Sequence, residues 1–169
     1  MSKRRSSTKD LALHDYRFFV DADLSDPFFH DVLIHAGVLF ERHSDHFAEG
    51  TDDLVWLKEA GEQGWIVLSH NKKIRTSSAQ TERLMQHNVR AIMLIGDAKP
   101  NPPGRRSVFT LELAHNFVRT LPAVLRFLRR HEGPWIAKLY RPARAGEGED
   151  PRAGSIEMWL TLQKWLKER

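Results

Sequence analysis

Short apolar runs alternate with amphipathic stretches over most of the chain. Phe18-Phe19-Val20, followed by Asp21-Ala22-Asp23, predicts a buried parallel strand that delivers acids to its C-terminal end, where open α/β sheets place their sites. Asp26 and Pro27 suit the cap and first position of a helix. Phe28, Phe29, Val32, Leu33 and Ala36 recur at helical spacing as its core face, and Gly37 ends it. Val38-Leu39-Phe40 predicts a second strand, and Glu41 to Gly50 a polar loop carrying His43, Asp45 and His46. Thr51 caps a second helix with Asp52 and Asp53 in its first turn, running to Gly64. Trp65 to Ser69 predicts a third strand, and a helix around Thr81 to His87 leads to a fourth, Ala91 to Ile95.

Strands and helices in this order imply right-handed crossovers and a parallel sheet. Gly96 to Arg106 reads as a loop. A long helix follows from about Thr110 to Arg130, apolar at Leu113, Phe117, Leu121, Leu125 and Leu128, with Pro122 expected to kink it. Trp135 to Tyr140 predicts the last strand. Four segments result: a basic flexible tail at 1–15, an α/β domain at 16–141, a mobile linker at 142–155 and an amphipathic helix at 156–169. The apolar face of that helix would be Ile156, Trp159, Leu160, Leu162 and Trp165.

The chain has 169 residues, enough for one domain with an ordinary core. The absence of cysteine excludes disulfides, thiolate zinc sites and a cysteine nucleophile. The N-terminal stretch is basic without an apolar segment, and no later run is long enough to cross a bilayer. A soluble cytoplasmic protein with no membrane partner is the expectation. A formal net charge of +4 permits polyanion partners without demanding them.

Residues two apart on a strand point the same way, so Asp21 and Asp23 are expected to face one point. Held close, two carboxylates repel, and a divalent cation between them is the usual remedy. The plainer alternative is a strand-end turn with a helix cap. Asp53, at the start of a crossover helix, lies at the same sheet edge and could join them, although first-turn acids need no such role. The third strand brings Ser69, His70 and Asn71 to that edge.

Taken together and in order, three stretches resemble the PIN-like nuclease domains, in the short form related to VapC-type toxin ribonucleases. They are Phe19-Val20-Asp21-Ala22-Asp23-Leu24, Gly50-Thr51-Asp52-Asp53-Leu54-Val55-Trp56-Leu57, and Gly64 through Ser69-His70-Asn71-Lys72-Lys73-Ile74-Arg75. Phe117-Val118-Arg119 through Gly133-Pro134-Trp135-Ile136-Ala137 is similar to the family's C-terminal helix and strand. The resemblance implies a three-layer α/β sandwich with a central, mostly parallel sheet. It also implies RNA cleavage at an acidic site holding Mg²⁺ or Mn²⁺. Asp21 would be the central ligand, Asp53 the second acid and Asp23 a direct or water-mediated ligand, with Ser69 and His70 in support. Asn71 stands where the family usually has a further Asp. Its amide oxygen can coordinate a hard cation without adding charge, so the site would hold Mg²⁺ less tightly than one with another carboxylate.

Lys72, Lys73 and Arg75 follow at the expected mouth, where they could meet phosphate oxygens or simply be solvated. Arg105, Arg106, Arg129 and Arg130, and the tail from Lys3 to Lys9, could widen a basic surface. His43, Asp45 and His46 read as solvated loop residues rather than a transition-metal site. Three functions remain open: a metal-dependent ribonuclease, a catalytically silent module that binds nucleic acid or a partner, and an aspartyl-phosphate phosphatase. The last rests on the series Asp21-Ala22-Asp23, Ser69 and Gly96-Asp97, with Asn101 where an acid would be useful. The expected partners are RNA, an antitoxin protein as the resemblance implies, and a second copy of the chain.

Overall fold

The computed structural model of the chain describes residues 13–96 and 106–169. Among these, six strands form one sheet: β1 (Phe18–Val20), β2 (Phe40–Arg42), β3 (Ile66–Ser69), β4 (Arg90–Ile95), β5 (Trp135–Tyr140) and β6 (Ile156–Thr161). Seven helices accompany them: α1 (Pro27–His35), α2 (His43–His46), α3 (Asp53–Gln63), α4 (Lys73–Thr76), α5 (Ser78–Gln86), α6 (Arg106–Arg130) and α7 (Leu162–Lys167). The strand order is β2-β1-β3-β4-β5-β6. Every pairing is parallel except β5 with β6. The order reverses between β1 and β3, which is where doubly wound sheets open a crevice at the C-terminal ends of their strands.

All three residues of β1 are fully buried, because the strand is covered on both faces. Phe18 and Val20 join Phe29 and Leu33 of α1 and Leu113, Phe117 and Val124 of α6 in one core. Phe19 points the other way, into a second core with Trp56, Leu57 and Ala60 of α3 and Leu84 and Met85 of α5. Its ring is stacked between Trp56 and Trp65, with centroids 5.4 and 5.5 Å away. The architecture is the expected α/β sandwich. No helix among the described residues is long and apolar enough to cross a membrane.

Local chemistry explains most boundaries. Asp26 Oδ1 accepts from the N–H groups of Phe28 and Phe29, with Pro27 at the first helical position. Gly64 closes α3 in the left-handed conformation at φ 69°. The cap of α3, however, is Asp52, which accepts from the Leu54 N–H, whereas Thr51 donates its hydroxyl to the carbonyl of Ala48. Phe28, expected in the core, is 53% exposed because the packed stripe of α1 runs through Phe29 and Leu33. The loop expected from Glu41 to Gly50 instead carries the end of β2 and the short helix α2, and His43 is buried against Phe47 and Phe19.

The largest departure is at the C-terminus. Residues 156–161 form β6, antiparallel to β5, and only Leu162–Lys167 is helical. A register shift at Ile136/Ala137 breaks the period-2 pattern of β6, so its apolar positions imitate helical spacing. Ile156 and Met158 pack on one core, and Trp159 and Leu160 on the other. The stretch before β6 is pinned by a fork in which Arg141 donates to both oxygens of Glu147, at 2.7 and 2.8 Å. Because α6 crosses back along the parallel sheet, Arg129 and Arg130 lie at the N-terminal edge of the strands and cannot widen a basic surface at the opposite edge. Residues Lys3 to Lys9, Asp97, Asn101 and Arg105 lie outside the described residues.

The close approach of α3 to the end of α5 yields a prediction. A Cβ added at Gly61 would stand 2.1 Å from the carbonyl oxygen of His87, which is backbone and cannot yield cheaply. Gly61→Ala is expected to destabilise the fold by about 1–3 kcal/mol, despite the better helix propensity of alanine. Urea unfolding of the two proteins measures this, and an unshifted midpoint would mean the helices are not so close.

Candidate metal and phosphate site

Asp21 is the first residue after β1, and its N–H continues the ladder by donating to the carbonyl of Leu68. That bond spans the switch point of the sheet. The side chain is only 3% exposed. Ser69, fully buried at the end of β3, donates its hydroxyl to Asp21 Oδ2 at 2.7 Å. The same hydroxyl oxygen accepts the N–H of Asn71 at 3.0 Å. Thus the turn after β3 fixes the hydroxyl, and the hydroxyl fixes the carboxylate.

Burial pushes the Asp21 carboxyl up to about 6, with the Ser69 hydrogen bond working against it and the charges of Asp23 and Asp53 adding to it. The charges of Asp23 and Asp53 therefore both reach Asp21, but strand alternation is not the reason. β1 ends at Val20, and Asp21 to Leu24 form a turn in which Asp21 is buried and Asp23 is exposed.

Asp53 is held from two directions. Its Oδ1 accepts from the Trp56 indole N–H at 3.0 Å, and its Oδ2 accepts from the Gln80 amide at 2.8 Å. Neither partner was evident in the sequence, and Gln80 lies on α5, 27 positions away. The Gln80 Oε1 atom is buried and makes no hydrogen bond. His43, buried on α2, also feels the charge of Asp53; burial lowers its pKa, and Asp53 opposes that.

Asn71 comes to the same edge but turns its side chain onto its own backbone. Its Oδ1 accepts from the Lys73 N–H at 3.0 Å and so organises α4. The His70 ring packs edge-on against Phe109 at 5.6 Å. Lys72 and Lys73 are exposed and Arg75 is half-buried, all on the segment leaving the site.

The donors near Asp21 are all oxygens, which suits a hard cation such as Mg²⁺ or Mn²⁺. A dication beside Asp21 would offset the repulsion that Asp23 and Asp53 add to its carboxylate. Among the described residues no group of three or more His, Asp or Glu side chains is placed to hold a metal ion, so Asp21, Asp23 and Asp53 do not form such a group.

Comparison with known proteins gives one match. Residues 16–96 match a family model described as a PIN-like domain. No curated protein and no solved structure matches the chain.

The raised Asp21 value makes stability depend on pH. The ordinary carboxylate value is 3.8 and the folded value about 6, so between these the folded protein holds more protons than the unfolded chain. Stability therefore falls as pH rises through that window, by roughly 3 kcal/mol once Asp21 is ionised. In metal-free buffer Asp21→Asn is expected to be more stable than the wild type at pH 7, by on the order of 1–3 kcal/mol, and the gap should close near pH 4. Urea unfolding at both pH values decides it, since a gap that does not change with pH would mean the carboxylate is not desolvated.

Proposed function

Because residues 16–96 are a PIN-like domain, a class whose members are commonly nucleases, we propose that this chain is a divalent-metal-dependent endoribonuclease acting on single-stranded RNA. One observation carries the reading: the buried Asp21 carboxylate, tied to Ser69 across the switch point and coupled to Asp23 and Asp53. A bound Mg²⁺ or Mn²⁺ supplies Lewis acidity at the scissile phosphate and a water of lowered pKa.

The chain's own residues hold and orient. Asp21 is the central anionic oxygen donor, and Ser69 fixes which oxygen faces the turn. Asp53 is oriented by Trp56 and Gln80, and Asp23 stands at the solvent rim. Lys72 and Lys73, exposed beside the site, meet the phosphates on either side of the scissile bond. Asn71 contributes by shaping the turn that positions Ser69. No serine or cysteine nucleophile is needed. The toxin role and a neutralising antitoxin partner belong to the same reading and rest on the resemblance to VapC-type enzymes alone.

A second reading, a PIN-like module that binds nucleic acid without cutting it, is favoured by three contacts. Both Asp53 oxygens and the Asn71 amide oxygen already have protein partners. Cleavage assays separate the two.

Asp21→Asn is expected to lower Mn²⁺-dependent cleavage of single-stranded RNA about a thousandfold, the equivalent of several kcal/mol of lost metal stabilisation, with an unchanged near-UV CD spectrum. Undiminished cleavage in that variant would remove the acidic site from the mechanism. A wild type inert with every divalent metal, together with an active Asn71→Asp, would establish the silent reading instead.

A further inference from the structure

A basic and aromatic surface lies mostly beyond the segment matched by the family model, on β5, β6, the turn between them and α7, with Arg75 of α4 at its border. Lys138 and Tyr140 are two residues apart on β5, so they project from one face of the sheet, the face that carries Ile136, Trp159 and Trp165. Lys138 Nζ stands 5.5 Å from the centroid of the Trp159 ring, and Lys164 Nζ stands 5.8 Å from the same ring. Arg152 covers the Tyr140 ring, its Cζ 5.0 Å from the centroid. Arg75, on α4, reaches this neighbourhood from the side of the acidic site, and its buried Nε has no hydrogen-bond acceptor.

Three acids, Asp150, Glu157 and Glu168, stand among the four cations and leave positive charge over. Arg152 meets Asp150 at 3.5 Å and Lys164 meets Glu168 at 3.9 Å, both long, exposed pairs of little worth. Lys138 is held below its ordinary value by burial first and then by Arg75, Arg152 and Lys164, against the charge of Glu157 opposite it on β6. Four cations thus share one surface, at a cost in mutual repulsion that a polyanion laid across them would relieve.

We propose that this surface is a track for single-stranded RNA, with Arg75, Lys138, Arg152 and Lys164 taking the phosphates and the bases laid against the partly exposed edges of Trp159 and Tyr140. The inference rests on the ribonuclease reading of the acidic site and adds where the strand goes on leaving it. The route is short: Asn71 is followed at once by the segment that becomes α4, α4 carries Arg75, and Arg75 borders Lys138. Cations interleaved with aromatic rings are the arrangement that binds unpaired strands irrespective of sequence. A duplex would hide its bases from the rings, and an acidic peptide would use the charges but not the rings.

The test is fluorescence anisotropy with a labelled oligouridylate in EDTA, so that no cleavage intervenes, over a series of salt concentrations. For the triple variant Lys138→Gln, Arg152→Gln, Lys164→Gln, the slope of log affinity against log salt is expected to shrink by about 2, at roughly 0.7 per lost contact to a single strand, with affinity falling on the order of tenfold or more. Arg152→Gln alone, an exposed position outside the cores, is expected to shrink the slope by about 0.7 and covers the case in which the triple variant does not fold. Trp159→Leu is expected to weaken binding several-fold with the slope preserved. An unchanged slope in Arg152→Gln and in a folded triple variant would overturn the track. Displacement of the RNA by polyglutamate at equal charge, with no effect of Trp159→Leu on either ligand, would overturn it in favour of an acidic peptide. Because binding is read without metal, failure of cleavage alone would count against the ribonuclease and not against the track.

Discussion

A carboxylate with 3% of its surface in contact with solvent is the constraint on which the rest of this structure turns. Removing a charge from water is costly, and a single hydroxyl bond returns only part of that cost. The fold nevertheless places Asp21 there, at the reversal of strand order, and fixes it from both neighbours: its N–H is bonded to Leu68 of β3 and its Oδ2 to Ser69. Two further acids then raise its pKa instead of relieving it. A buried carboxylate with like charges beside it opposes folding, so their joint presence points to a ligand of opposite sign. The same logic, with the signs exchanged, holds on the far side of α4, where the cations around Lys138 are gathered.

How much of this could be read from the amino-acid order follows from which signals are local. β3, β4 and β5 are mostly apolar runs between clear breaks, and helix caps such as Asp26-Pro27 act through hydrogen bonds within three residues. Those elements stood out. β6 did not, because its bulged pairing with β5 spoils the alternation that marks a strand; Ile156, Trp159 and Leu160 then carry a helical period without being helical. The nearness of Asp21 to Asp23 was foreseen for a reason that fails, since strand alternation stops at Val20 and a turn does the work. Gln80, which orients Asp53 from α5, left no trace in spacing, because which helix faces which is decided by the packing of α3 against α5, whereas Trp56 stands one turn along the same helix as Asp53.

Asn71 shows how one neutral residue can fit such a site. Its amide oxygen accepts the Lys73 N–H, and its own N–H supports the Ser69 hydroxyl, so the residue links the basic segment to the acidic one. An aspartate could accept the same N–H, but it would bring a further negative charge toward a carboxyl already pushed to about 6. The neutral side chain keeps the turn geometry while limiting that repulsion. The consequence is a site with fewer fixed charges, in which a metal would depend more heavily on phosphate oxygens to complete its shell.

The C-terminal strand makes a related compromise. Without β6, the parallel sheet would end at β5 with exposed N–H and C=O groups, an edge that invites pairing with other chains. With β6 in place the edge passes to a strand with a bulge in its pairing, and this antiparallel strand is reached by the turn that Arg141 and Glu147 hold together. That return path passes Arg152 over Tyr140 and sets Trp159 between Lys138 and Lys164. The rings face cations because an ammonium over an indole face is attracted to it, which keeps long, solvated side chains on one surface. The segment that takes over the sheet edge thereby also orders a row of positive charge across the β5–β6 face, from Arg152 beside Tyr140 to Lys164 past the N-terminal end of β5.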